Sequence, residues 1–132
     1  MNLVIAFPPN YKQIKEKFNP PTGTVFTYGD TVYCPDSPKL SPDLLVHELT
    51  HINQQGNDPE TWWNKYIEDP NFRLEQEVEA YREQYKKFCQ LKKDRNIQAR
   101  FLFYIAGELA SATYGHLIGR DEAVRRIKQC YR

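Results

Sequence analysis

The sequence predicts an α+β fold, mostly helical, in a single domain over residues 1–132. Three observations carry that expectation. With 132 residues, 40% hydrophobic and 14% aromatic, the chain has apolar mass for one core and little room for a second. Runs rich in β-branched and aromatic residues, with turn signals between them, lie before the motif region that begins at Ser41. From Ser41 onward, helix start and stop signals enclose apolar residues at helical spacing.

The elements follow in order. Leu3 to Phe7 is apolar and partly β-branched, is closed by Pro8-Pro9, and predicts a buried strand. Asn10 to Phe18 carries Tyr11, Ile14 and Phe18 at helical spacing with lysines between them, a short amphipathic helix. Asn19 to Gly23 is a loop by its proline and glycine content. Thr24 to Tyr28 and Thr31 to Cys34, parted by Gly29-Asp30, predict a β-hairpin whose glycine can supply the positive φ of a tight turn.

Pro35 to Leu40 is a proline-rich connection. Ser41-Pro42-Asp43 then reads as a helix start: a serine cap, proline at the first helical position and an acid in the first turn. Leu44, Leu45, Glu48 and Ile52 continue that helix, and Gly56 is placed to stop it. Asp58-Pro59-Glu60 repeats the start signal for a short helix over Thr61 to Ile67. Its adjacent Trp62 and Trp63 cannot share one helical face, so core packing, a substrate or an interface has to take the second ring. Asp69-Pro70-Asn71 opens a third helix running to about Lys93, with an apolar seam of Leu74, Val78, Tyr81, Tyr85 and Phe88. Asp94-Arg95-Asn96 breaks or kinks the chain, and the strongly apolar Ala99 to Tyr114 predicts a buried helix. Gly115 to Gly119 is a turn. Asp121 is expected to cap a last helix through Ala123, Val124, Ile127 and Tyr131.

The charges balance at +1, from 18 basic and 17 acidic side chains, which leaves no electrostatic footprint for nucleic acid or an anionic membrane. Cys34, Cys89 and Cys130 form no CxxC pair, so neither a disulfide framework nor a cysteine zinc knuckle is expected. Met1 to Phe7 lacks the basic lead-in of a signal peptide, and no apolar run approaches the roughly twenty residues of a membrane span. These features lead us to expect a soluble, cytoplasmic protein.

The chemistry centres on His47-Glu48-Leu49-Thr50-His51. Positions i and i+4 of a helix lie one turn apart on one face, so both imidazoles can hold one metal ion while Glu48 stands beside it. A peptidase-type zinc site takes a third protein ligand and leaves a position for water. The metzincin pattern fails, because Gln54 and Asn57 occupy its glycine and histidine places, and the only other histidine is His116. The next long helix offers Glu75, Glu77, Glu79 and Glu83. At about 100° per residue, Glu77 lies about 60° from the centre of the apolar seam, Glu75 about 100°, Glu79 about 140°, and Glu83 opposite. Glu77 is therefore the expected third ligand, with Glu75 as the alternative.

The HELTH sequence with Gln54-Gln55, followed by Glu77-Val78-Glu79-Ala80-Tyr81, resembles the gluzincin class of small zinc metallopeptidases, especially compact single-domain forms from bacteria and bacteriophages. The resemblance covers about Val25 to Phe88. It implies a small zincin-like domain, with a short hairpin packed on the motif helix and a helical C-terminal part. It also implies bound Zn²⁺ and, through an ExxA pattern, Glu77 as third ligand. Many members carry an aspartate after that alanine to orient a ligand histidine, and here Tyr81 stands in its place. Aspzincins share a tyrosine-glycine pair after the motif, but here Glu108 follows Gly107 and no aspartate precedes Tyr114.

The expected activity is zinc-dependent hydrolysis of peptide bonds in a peptide or protein substrate, with Glu48 as general base. His116 and Tyr114, in a turn able to fold back over the metal, are candidates to steady the oxyanion. The hairpin either receives substrate as an added strand or only covers the core. The rival expectation is a zinc-bearing binding or regulatory protein that keeps the ligands without hydrolysis. Substrate and oligomeric state are not encoded in any pattern of the chain.

Overall fold

Gly29 sets the turn that starts the sheet: at φ 64° it takes the left-handed conformation between β2 (Phe26–Tyr28) and β3 (Thr31–Tyr33). The strands pair antiparallel with Thr27 opposite Val32, as the hairpin signal predicts. A third strand, β1 (Asn2–Val4), pairs parallel to β3, giving the order β1-β3-β2. The computed structural model describes residues 1–36 and 39–129. Cys130 and Tyr131 lie outside the described residues.

β1 corrects one expectation. The buried strand predicted over Leu3 to Phe7 is a three-residue edge strand with all its residues exposed. The chain bends at Ile5-Ala6 ahead of Pro8-Pro9 and leaves the sheet. Apolar content is the same for an edge strand and a covered one, so composition could not separate them.

The helices are α1 (Tyr11–Phe18), α2 (Pro42–Gln55), α3 (Pro59–Glu68), α4 (Pro70–Leu91), α5 (Arg95–Leu109) and α6 (Arg120–Lys128), with a short 3₁₀ turn over Ala112–Tyr114 before the last. Three aspartates start three of them. Asp58 accepts from the Thr61 amide, Asp69 from those of Asn71 and Phe72, and Asp94 from those of Asn96 and Ile97. Each such cap contributes about 1 kcal/mol. Ser41 holds the cap position of α2 without a side-chain bond, and Pro42 supplies the first helical residue. Gly56, at φ 56°, ends that helix where expected.

Two helix assignments shift. The apolar stretch expected as a buried helix over Ala99 to Tyr114 is α5, which begins directly after Asp94 and ends at Leu109. Only the stripe Leu102, Ile105, Ala106 and Leu109 is buried, while Phe103 and Tyr104 face solvent. The polar Arg95-Asn96 hid the first turn because the Asp94 cap, not apolarity, nucleates it. Asp121 likewise does not cap α6. Gly119 does, in extended conformation, and Asp121 sits in the first turn, where its charge suits the helix N-terminus.

At 22 residues, α4 is about 33 Å long and organises the rest. Its principal partner is α2, and α3, α5 and α6 also pack against it. On one flank Val78, Tyr81 and Tyr85 join the α5–α6 stripe in an aliphatic core. On the other, Ile14, Phe26, Trp62, Trp63 and Tyr66 form an aromatic core between α1, β2 and α3. Both tryptophans are thus core residues. No helix among the described residues is long and apolar enough to cross a membrane.

Candidate metal centre

The α2–α4 contact brings three side chains to one point. His47 and His51 lie one turn apart on α2, both buried, and Glu77 of α4 meets them at 3% exposure. The two Nε2 atoms are 3.2 Å apart. Glu77 Oε1 is 3.2 Å from His47 Nε2, and Oε2 is 3.2 Å from His51 Nε2. Nitrogen and oxygen donors about 2.0–2.1 Å from a tetrahedral ion stand roughly 3.3 Å from one another. These three residues could therefore hold a metal ion. Glu79 is exposed, as its angle on the helix predicts, and so is Glu75, the alternative ligand; neither belongs to the group.

The hydrogen bonds behind the rings show which face of each imidazole is free. Gln84 Nε2 donates to Asp43 Oδ2 at 3.0 Å, so Gln84 Oε1 is the atom facing His47 Nδ1, 2.9 Å away. Gln54 Nε2 donates to Gln76 O and to Glu79 Oε1, so Gln54 Oε1 faces His51 Nδ1 at 2.7 Å. An amide oxygen can only accept, which places a proton on each Nδ1 and leaves both Nε2 lone pairs pointing at Glu77. Two lone pairs and a carboxylate in a buried space need a cation among them. Glu77 Oε1 accordingly has no hydrogen-bond donor although it is buried. The donor set, its spacing and this orphaned oxygen all fit a bound metal ion.

The electrostatics agree. Burial by itself would lower the His51 pKa, but the charge and hydrogen bond of Glu77 outweigh it and raise the value to about 9. Burial would raise the Glu77 carboxyl, yet the charge of His51 and the closeness of both rings to its oxygens hold it well below the usual carboxylate range. Positive charge is stabilised at this point, whether carried by a proton or by a metal.

Glu48 is buried beside the group without belonging to it. Thr27 Oγ1 donates to its Oε1 at 2.8 Å, and its Oε2 stands 4.0 Å from His47 Nε2. Tyr66 of α3 donates its hydroxyl to Glu77 Oε2 at 2.7 Å. Tyr81, found where the resemblance would put an aspartate, does not hydrogen-bond the His47 nitrogen. Its ring meets the His47 ring edge-on at 4.5 Å, and its hydroxyl bonds that of Tyr114 at 2.8 Å. Gln84 does the orienting instead. Tyr114 thus reaches the site, walling both hollows that flank His47 and Glu48. His116 does not: it is exposed, takes φ 54°, and lines neither hollow. The turn directs Tyr114 inward and His116 outward, which removes His116 from the oxyanion candidates.

One buried cation ties these parts together. Arg73, one turn before Glu77 on α4, is 3% exposed. Its Nη1 donates to the carbonyls of Tyr66 and Ile67, its Nε donates to that of Tyr114, and its guanidinium lies 4.9 Å from the Phe18 ring. Tyr66 and Tyr114 are thus anchored through their backbone carbonyls by one side chain.

Of the expected site residues, the structure gathers His47, Glu48, His51, Glu77 and Tyr114. The sequence reading missed Thr27, Asp43, Gln54, Tyr66, Arg73 and Gln84. Helical spacing held a signal for some of them: Asp43 precedes His47 by four residues, Gln54 follows His51 by three, and Arg73 precedes Glu77 by four. The free edge of β2 is also altered. Thr27 O accepts from Gln55 Nε2 at 2.8 Å and from Trp63 Nε1 at 2.9 Å, and Gly29 N donates to Gln55 Oε1 at 2.7 Å. At Thr27 the strand edge is taken by side chains of the fold itself. No protein-family model, curated protein or solved structure matches this chain, so the reading of the centre rests on its own residues.

Proposed function

We propose that the chain is a zinc-dependent metallopeptidase of gluzincin type. The observation that carries this reading is the position of Glu48. A buried carboxylate stands beside the metal-holding group without joining it, one oxygen fixed by Thr27 and the other without a hydrogen bond among the described residues. Two imidazoles and a carboxylate form the donor set of zinc hydrolase sites, with His47, His51 and Glu77 in those places. When bound, the ion supplies Lewis acidity and makes a water acidic enough to lose a proton near neutral pH. Glu48 Oε2 is placed to take that proton and to return it to a leaving amine. The Tyr114 hydroxyl, steadied by Tyr81, is the candidate donor to developing negative charge on the carbonyl oxygen.

Glu48→Gln tests the reading. It preserves shape and one hydrogen-bonding oxygen, so the variant should retain metal, measured by elemental analysis, while chelator-sensitive cleavage of a broad peptide library disappears. Retained cleavage would remove Glu48 as the base. Equal inactivity of wild type and variant, both metal-loaded, would favour the binding-protein reading, which the near-complete burial of all three donors supports.

A further inference from the structure

The hollows on either side of His47 and Glu48 differ in chemistry. The narrower is walled by Ile14, Phe18, Phe26, Trp62 and Trp63, an apolar surface. The wider is walled by the Pro21–Val25 loop, Tyr81 and Tyr114, and by Tyr104 and Glu108 of α5. Among the described residues that line it, the one charged side chain besides those of the metal region is Glu108, and none is a lysine or arginine.

Helix geometry explains how α5 presents Glu108 there. Tyr104 and Glu108 are one turn apart on one stripe, and Phe103 and Gly107 form the next. Arg120 belongs to that second stripe: its guanidinium sits 4.1 Å from the Phe103 ring, over a surface that only a glycine at position 107 leaves open. The nearby cation is therefore engaged elsewhere. Among the described residues no basic group stands within ion-pair distance of the Glu108 carboxylate. An unpaired acid on the wall of this hollow offers opposite charge to an ammonium or guanidinium group, and the exposed ring of Tyr104, one turn away on the same wall, adds an aromatic surface.

We infer that the wider hollow is a subsite for a basic side chain, so that the peptides taken by this centre carry lysine or arginine on the Glu108 side of the reacting bond. The inference rests on the peptidase reading and names its substrate class.

The test uses metal-loaded Glu48→Gln protein and fluorescein-labelled hexapeptides that hold one leucine fixed while lysine is moved through the other positions. Each has a partner with norleucine in place of lysine, and binding is read by fluorescence anisotropy. At one position lysine should bind about fivefold tighter than norleucine, the size of a partly exposed ion pair. The ratio should shrink in high salt and fall to unity when Glu108→Gln is added. Glu108→Lys should turn the preference toward aspartate at that position. A ratio near one at every position, no binding by any peptide, or a lysine preference that survives Glu108→Gln would each overturn the inference. If the ratio behaves as expected while wild-type protein cleaves none of the peptides, the subsite stands and the hydrolytic reading falls.

Discussion

The interiors on the two flanks of α4 are held by different kinds of contact. Against α5 and α6, Ile105, Leu109, Ala123 and Ile127 are wholly enclosed and meet Val78 through undirected apolar packing. Against α3 and β2, every buried aromatic with a polar tip spends it on a named acceptor: Trp62 on Gln76 Oε1, Trp63 on Thr27 O, Tyr66 on Glu77 Oε2. The aliphatic side chains of the first core can lose or trade volume with consequences chiefly for stability, Tyr81 being its one member that touches the site, through His47 and Tyr114. The second is wired to the metal group, since Thr27 also holds Glu48 and Tyr66 holds Glu77 directly. The aliphatic flank supports the fold, and the aromatic flank aligns the chemistry.

Substitutions can break that division. The largest effect is expected at the seam itself. Glu77→Ala removes one of three donors and should lower zinc affinity by more than the ~100-fold of an outer-shell loss, whereas exposed Glu75→Ala should not change it. Competition against a chromophoric chelator measures both. Next, Leu109→Ala in the aliphatic core should cost about 3 kcal/mol in denaturant unfolding while folded protein binds zinc as before. A parallel loss of zinc affinity would show that the flanks are not separate. Gln84→Leu should cost about 1–3 kcal/mol of stability, because buried Asp43 and His47 lose a hydrogen-bond partner, and weaken zinc binding about 10–100-fold, because nothing then fixes the His47 ring. Smallest is Tyr66→Phe: it removes one charge-assisted hydrogen bond to Glu77, for about tenfold in zinc affinity, with the ring and its packing kept.

Much of this organisation was legible in the chain. Proline and aspartate pairs announced α2, α3 and α4, because a cap and a fixed φ are local facts that tertiary structure seldom overrides. Glu77 could be chosen over its neighbours because the seam of α4 is long enough to define an angle. What stayed hidden depends on contacts between segments. Gln84 and Gln54 carry no pattern that marks an amide as the partner of a histidine. Tyr66 reaches Glu77 only because α3 folds beside α4. The burial of Leu3 to Phe7 was misread because edge position is a property of the sheet, not of the run. His116 and Tyr114 looked equivalent in sequence, and the backbone of the turn, with Gly115 and His116 both at positive φ, separates them.

The Gln55 and Trp63 bonds to Thr27 have a consequence for how this sheet meets other chains. An open strand edge invites growth by a neighbouring strand, and folds survive by blunting such edges. Here an amide side chain occupies the Thr27 carbonyl and the Gly29 amide together, as the backbone of an added strand would, and an indole takes the second lone pair of that carbonyl. Any incoming strand must displace both or stop short at Val25. A strand added along β2 would therefore be confined to the end beside the His47, His51 and Glu77 group, and fibril-like stacking is obstructed on that side of the sheet.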